Sequence, residues 1–257
     1  MMKMNTVLSH GKKLSSVMLR RFSSAASHSV ELYQYEVCPF CAKAKATMDY
    51  YKVPYSTVEV NPLSKKELAF SEYKKVPLAV IDGKHVIESD AIMDLVRGWK
   101  TSDTPSADEL KWRDWANQKL VVCLPPNLYR SLPESWDSFK YISRNNKFGL
   151  AQALYVRSVG SVFMRMMKGR MMKKHGIAEE RQHLMSLLNI WAADALMGRK
   201  FQAGEDKPGV ADLAVFGMMR SMEGVPTFDY CMKQDVVRNW YKNVEEAVGE
   251  SSRTAIN

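Results

Sequence analysis

The chain has 257 residues, of which 46% are hydrophobic, 10% aromatic and 25% charged, with four cysteines and a formal net charge of +9. These values are typical of a folded protein with about two domains, and they exclude a disordered chain and a disulfide-stapled secreted domain. No run approaches the roughly 18 uninterrupted apolar residues that a transmembrane helix needs.

The positive charge is concentrated at the N-terminus, where the first 30 residues carry five lysines and arginines and no acidic residue. Without them the net charge falls from +9 to +4, an ordinary value for a folded surface, and no basic-aromatic pattern favours nucleic-acid binding. The acid-free, serine-rich segment 1–29 has the composition of a transit peptide, and "LRRFSSAAS" resembles a processing site. The sequence therefore predicts mitochondrial import; a plastid transit peptide and a disordered basic tail are the alternatives.

From residue 30 the hydrophobic pattern alternates between the strand and helix periods. The "DG" at Asp82-Gly83 indicates a two-residue hairpin turn, and Ser89 is the expected N-cap of the helix that follows. The predicted elements are strand 30–37, helix 39–53, strand 55–61, helix 62–72, strand 76–82, strand 84–89 and helix 89–99. This β-α-β-α-β-β-α order predicts an α+β domain over 30–100.

A polar stretch at 101–107 ends this pattern and is interpreted as an inter-domain linker. The pattern over 108–250 is helical at almost every point and predicts an all-α domain, with a helix break at the prolines of "CLPPNLYRS". That break either lines a lipid groove or is a simple bend. The methionine-rich basic stretch 161–176 is interpreted as a helix with its methionines in the core, or as a peripheral contact with an anionic membrane.

The motif that indicates chemistry is "CPFC", residues 38–41. A zinc site needs a second ligand pair, which the sequence lacks, and a permanent disulfide across so short a loop gains little chain entropy. The remaining interpretation is a reactive thiol, because a helix N-terminus lowers a thiol pKa. We expect Cys38 exposed at the helix start, Pro39 at the first helical position and Cys41 more buried, with Lys43 and Lys45 adding positive potential.

Two further pairs of residues fit the same site. Val76-Pro77 begins a predicted strand where a proline removes a ladder hydrogen bond, and a cis proline would leave the Val76 backbone free to pair with an extended thiol peptide. Glu88 and Ser89 open a helix, a place that suits a carboxylate ligand. The plain alternatives are a strand-start proline and a simple N-cap. Together with the cysteine pair, these residues indicate a glutathione-type site.

Residues 31–245 resemble the membrane-associated prostaglandin E synthase type 2 family, and the first 70 folded residues also resemble glutaredoxins and the N-terminal domain of glutathione transferases. The departures are Gly209, where an amide or hydroxyl N-cap is common, and the lack of the family's membrane anchor. The stretches that show the resemblance are "LYQYEVCPFCAKAKATMDYYKVPYSTVEVNPLSKKEL", "YKKVPLAVIDGKHVIESDAI", "KWRDWANQKLVVCLPPNLYRS", "SFKYI" and "DKPGVADLAVFGMMRSMEG".

The resemblance implies an α+β thioredoxin-like N-terminal domain, an all-α glutathione-transferase-like C-terminal domain and a homodimer. It implies isomerisation of a lipid endoperoxide, prostaglandin H2, to prostaglandin E2, with glutathione as cofactor and haem as a second ligand of the family. The implied site consists of Cys38 as catalytic thiol, Tyr35 as its hydroxyl partner, Cys41 as second thiol, Phe40 in the substrate pocket, and Val76, Pro77, Glu88 and Ser89 on glutathione.

Two other functions stay open from the sequence. One is a glutathione-dependent thiol-disulfide oxidoreductase or transferase. The other is a non-catalytic module that binds haem or glutathione. The expected fold is common to all three functions and does not choose between them.

Overall fold

The computed structural model describes residues 28–62, 64–131 and 168–254, in which a small sheet with its helices is followed by helices alone. The first of these parts is thioredoxin-like, and the second is the helical part. The first part contains β1 Val30–Gln34, α1 Pro39–Tyr50, β2 Ser56–Glu59, β3 Leu78–Ile81, β4 Lys84–Ile87 and α2 Ser89–Gly98; the second contains α3 Ala107–Trp115, α4 Val121–Leu128, α5 Glu180–Ile190, α6 Val210–Arg220, α7 Pro226–Cys231 and α8 Asp235–Val248, with a helical segment at 168–175.

The sheet has the order β2-β1-β3-β4, with β1 parallel to β2 and antiparallel to β3. Its side chains alternate as the strand period requires, since Val30, Leu32 and Gln34 of β1 are buried. Asp82 and Gly83 both have positive φ, at 50° and 78°, which is the geometry of a two-residue hairpin turn. The predicted hairpin is therefore confirmed.

Three local predictions are wrong. The predicted helix at 62–72 is a single 3-10 turn, Lys66–Leu68; it is preceded by Lys65 in the left-handed region, so no α-helix is nucleated there. The N-cap of α2 is Glu88, and Ser89 is its first helical residue. The α4 helix runs through the two prolines to Leu128, after a π-helical turn at Ala116–Leu120 that widens the helix just before them.

The two parts of the chain pack closely along α1 and α6. A Cβ on Gly217 of α6 would lie 2.3 Å from the Cα of Lys43 on α1, so only glycine permits this approach of the two backbones. Gly209, which precedes α6, is also required for lack of space, because a Cβ there would lie 2.2 Å from the Glu109 carboxylate. That carboxylate accepts a hydrogen bond from the Val210 amide at 3.2 Å. It thus satisfies a free amide at the start of α6, as an N-cap side chain would.

Residues 249–254, here called the C-terminal strap, return from α8 to the free edge of β2. The Tyr55 amide donates to the Ser252 carbonyl at 3.3 Å, and the Thr254 amide donates to the Tyr55 carbonyl at 2.8 Å. Asp49 of α1 is fully buried beneath the strap. It accepts bonds from the Ser252 amide at 2.9 Å and from Arg220 of α6 at 2.9 Å. The strap thus joins the sheet edge, α1 and α6.

Three sequence predictions fall partly outside the described residues. They concern residues 1–27 of the predicted transit peptide, 132–167 of the predicted helical domain, and 161–167 of the methionine-rich stretch within it. Within the described ranges, no helix combines the length and the apolar character that crossing a membrane requires. Cys123 and Cys231 are buried and free.

Candidate active site

Cys38 is the N-cap of α1, and Pro39 occupies the first helical position. Proline suits this position because its fixed φ fits the helix and its missing N–H would have no partner there. The Cys38 amide closes a tight turn by donating to the Tyr35 carbonyl at 3.0 Å. The thiol is half-buried, less open than the exposed position expected from the sequence, and Cys41 is buried one turn further on.

The two thiols differ in their proton affinity. The pKa of the Cys38 thiol is lowered, chiefly because the Cys41 S–H donates to its thiolate; burial opposes this shift, and the amides of Cys41 and Phe40 and the charge of Lys45 add to it. Burial, followed by the hydrogen bond and charge of Cys38, raises the pKa of Cys41 well above its ordinary value. Cys38 is therefore the thiol of the pair that loses its proton more readily, and Cys41 is the one that keeps it.

The two lysines of α1 have different roles, which corrects the expectation that both charge the thiol site. Lys43 is fully buried; its ammonium group bonds to Asp90 of α2 and, at 2.6 Å, to Asn117. Its charge is used at the contact between the two parts of the chain. Lys45 pairs with Glu36 at 2.8 Å and is the lysine that acts on the Cys38 thiolate.

Tyr35 and Phe40 flank the thiol pair in the chain. The pKa of Tyr35 is raised by burial and then by its electrostatic interactions with Cys38 and Cys41, so its phenol keeps its proton and can act as a donor. Phe40 is half-buried and packs against the helical core, with the Lys43 ammonium group 5.5 Å from its ring centre. It therefore lies where the thioredoxin-like part meets the helices.

The Val76-Pro77 peptide is cis, as predicted. Among the described residues, none forms a hydrogen bond with the Val76 backbone, so its amide and carbonyl are open to an extended ligand. Glu88 has a φ of 69° and no side-chain bond to its own helix end, and Ser89 is 4% exposed. The start of α2 therefore presents backbone amides next to an acidic side chain.

Sequence reasoning missed Tyr73. Its ring lies in the small apolar cluster that also contains Tyr35 and Val76, and its hydroxyl donates to Glu88 Oε1 at 3.0 Å. The pKa of Tyr73 is raised to about 12 by burial, by Glu88 and by the charges of the two cysteines. A tyrosine in an irregular loop gives no periodic signal; its position three residues before Val76 was the only hint.

These residues fit glutathione better than they fit a metal. Glutathione offers a zwitterionic end for the start of α2 and a peptide for the open Val76 backbone. For haem, the site offers one matching donor, since a cysteine thiolate is an accepted iron ligand. Within the described ranges, no cluster of three or more histidine, cysteine, aspartate or glutamate residues could hold a metal ion.

Comparisons with known proteins show which family the chain belongs to. Residues 32–98 match the family model of the glutathione S-transferase N-terminal domain. The chain is 32% identical to prostaglandin E synthase 2 of Danio rerio, over 84% of this chain and 70% of that protein. It is 33% identical to prostaglandin E synthase 2 of Mus musculus, over 88% of this chain and 72% of that protein. The chain belongs to the prostaglandin E synthase 2 family.

Members of this prostaglandin E synthase 2 family carry an enzyme's name, and the fold is that of glutathione transferases. A solved glutathione S-transferase bound with lactoylglutathione superposes with a TM-score of 0.56, over 86% of this chain and 98% of that one, at 14% identity. At that identity the likeness establishes the fold alone. The predicted architecture, a thioredoxin-like domain followed by a helical one, is thereby confirmed.

Proposed function

We propose that this protein converts prostaglandin H2 to prostaglandin E2, with Cys38 as the activated thiol and glutathione as cofactor. Family membership supports the reaction class. The observation that carries the role of Cys38 is its place at the N-cap of α1, where Cys41 and two backbone amides stabilise its thiolate.

The chemistry needs little beyond positioning and proton transfer. Isomerisation breaks the O–O bond of the endoperoxide; the electron pair of one adjacent C–H bond forms the ketone, and the other oxygen takes up a proton. No net oxidation or reduction occurs. The Cys38 thiolate is the base for the carbon-bound proton, and the Tyr35 phenol, which stays protonated, is a donor for the oxygen. Phe40 contributes apolar surface for the fatty chains.

The glutathione site consists of the open Val76 backbone, the cis-Pro77 turn, Glu88 and Ser89. In this proposal, the α2 N-terminus binds a carboxylate and Glu88 binds an ammonium group. Haem binding alongside glutathione is the other ligand state that we propose for the family's site, with the thiolate as the iron ligand. A Soret absorbance band that appears on adding haem and glutathione together would test it.

The decisive experiment measures prostaglandin E2 formation from prostaglandin H2 by the haem-free full chain with dithiothreitol. We expect Cys38→Ser to lose activity by about a hundredfold or more. Cys231→Ala is the matched control, since burial raises the pKa of that thiol to about 12 and makes it inert. No turnover by the wild-type chain would refute the proposal.

A second candidate is a glutathione-dependent thiol-disulfide oxidoreductase. The observation that favours it is Cys41, a buried thiol that is hydrogen-bonded to Cys38. Cys41 is therefore close enough to resolve a mixed disulfide formed at Cys38. If reduction of a glutathione mixed disulfide is fast and prostaglandin E2 formation is absent, this second function replaces the first. Failure of both reactions would favour the non-catalytic module.

We also propose three further features of the protein. They are a homodimer, peripheral membrane contact and mitochondrial import by residues 1–29. Light scattering, vesicle flotation and import into isolated mitochondria, respectively, would test them.

We further propose a division of the chain into a thioredoxin-like domain at 30–100, a linker at 101–107 and a helical domain at 108–250.

A further inference from the structure

Tyr73 connects the parts of the candidate site that are distant in sequence. It follows the 3-10 turn, three residues before the cis peptide at Val76-Pro77. Its ring packs against the buried cluster of Val60, Leu68 and Leu78, against which Tyr35 and Val76 also pack. The ring is therefore fixed on one side, while its hydroxyl reaches the start of α2.

The hydroxyl of Tyr73 donates to Glu88 Oε1 at 3.0 Å. Within the described ranges, this is the one hydrogen bond to the Glu88 carboxylate. Glu88 is exposed, and its side chain makes no bond to the end of its own helix. An exposed glutamate with no partner samples many rotamers, so the bond from Tyr73 selects one carboxylate position.

We propose that Tyr73 is a positioning residue of the glutathione site, which holds the Glu88 carboxylate where it accepts the ammonium group of the γ-glutamyl end. This rests on the proposed function, because it takes glutathione as the ligand. An α-amino-acid end carries an ammonium group and a carboxylate together. The N-terminus of α2 at Ser89 suits the carboxylate, and the oriented Glu88 suits the ammonium group.

The role predicts a specific coupling between the two side chains. Removing the hydroxyl by Tyr73→Phe keeps the ring and its packing but releases Glu88. Since the hydroxyl acts only through Glu88, its removal should matter little once the carboxylate is gone. A purely structural tyrosine would instead give the same loss in either background.

The test measures the dissociation constant of S-methylglutathione by calorimetry on the full chain. This probe has no thiol and does not exchange with Cys38. We expect Tyr73→Phe to weaken binding by about three- to tenfold. In the Glu88→Gln background the same change should weaken it by less than about twofold. Tyr50→Phe is the matched control, since no hydrogen bond joins its hydroxyl to another described residue.

Three results would overturn the proposal. They are an unchanged dissociation constant in Tyr73→Phe, an equal loss in both backgrounds, and an equal loss in Tyr50→Phe. A wild-type chain that fails to bind S-methylglutathione would remove this role and the glutathione site together. The isomerase assay with dithiothreitol, which needs no glutathione, would still decide on the proposed reaction, so the two failures are distinguishable.

Discussion

At the scale of single residues, the two thiols differ in pKa because burial dominates at Cys41 and a hydrogen bond dominates at Cys38. Both cysteines sit on the same helix start, yet the pKa of Cys38 is lowered and that of Cys41 is raised. The largest single cause at Cys38 is the hydrogen bond from Cys41. We therefore expect the second cysteine to contribute to the reactivity of Cys38 even in a reaction that never forms a disulfide.

This role predicts a contrast between two substitutions. Cys41→Ala removes the donor, so the pKa of Cys38 should rise and its alkylation by iodoacetamide at neutral pH should slow by about three- to tenfold. Cys41→Ser keeps a hydroxyl donor and should stay within about twofold of the wild type. The measurement is the alkylation rate against pH, whose midpoint should move to higher pH in the alanine variant. An unmoved midpoint would contradict the proposed hydrogen bond.

The motif at Cys38 could be predicted from sequence because its causes are local: a strand, a proline and a helix start lie within a few residues. The partners of Lys43 could not be predicted in this way. Its ammonium group bonds to Asn117 of the π-helical turn, 74 positions along the chain, and only the tertiary fold brings these two residues together. The Tyr73–Glu88 hydrogen bond could not be predicted for the same reason, because it joins a loop to the end of a helix.

At the scale of elements, α1 and α6 approach so closely that there is no room for a side chain at Gly217. We expect Gly217→Ala to lower the free energy of unfolding by about 2–3 kcal/mol, because the clash is with the backbone of Lys43. Urea unfolding followed by circular dichroism measures this.

The matched control is Gly98→Ala at the end of α2. A Cβ there meets nothing within 4 Å, and alanine is the better helix former. We therefore expect Gly98→Ala to be neutral or to stabilise the protein by up to about 1 kcal/mol. Equal destabilisation by the two substitutions would mean that the Gly217 contact is not the cause.

At the scale of the whole molecule, the C-terminal strap is the feature that sequence patterns did not reveal. Hydrophobic periodicity predicts strands and helices one at a time, and the six residues 249–254 are too few to show a period. The strap is defined by its backbone pairing with Tyr55, which lies 199 positions before Thr254. The four strands of the sheet and their positions along the chain could be predicted from the sequence. The contact between the C-terminal strap and Tyr55 could not.

The strap predicts a long-range effect of truncation. Ending the chain before Glu250 removes both backbone bonds to Tyr55 and two donors to the buried Asp49. We expect a loss of about 2–4 kcal/mol in unfolding free energy. Arg253→Ala, which removes only the half-exposed pair with Glu36, should cost about 1 kcal/mol or less. Urea midpoints measure both, and a truncated chain as stable as the wild type would contradict the strap's role.

The strap also sets an order of events during synthesis. The edge of β2 at Tyr55 is made early, but its partner at Thr254 leaves the ribosome 199 residues later. At typical elongation rates the first domain waits roughly 10 to 40 seconds for that contact. During this interval Asp49 lacks its strap donors and the sheet edge stays open, so the nascent chain presents a surface that a holding chaperone could cover.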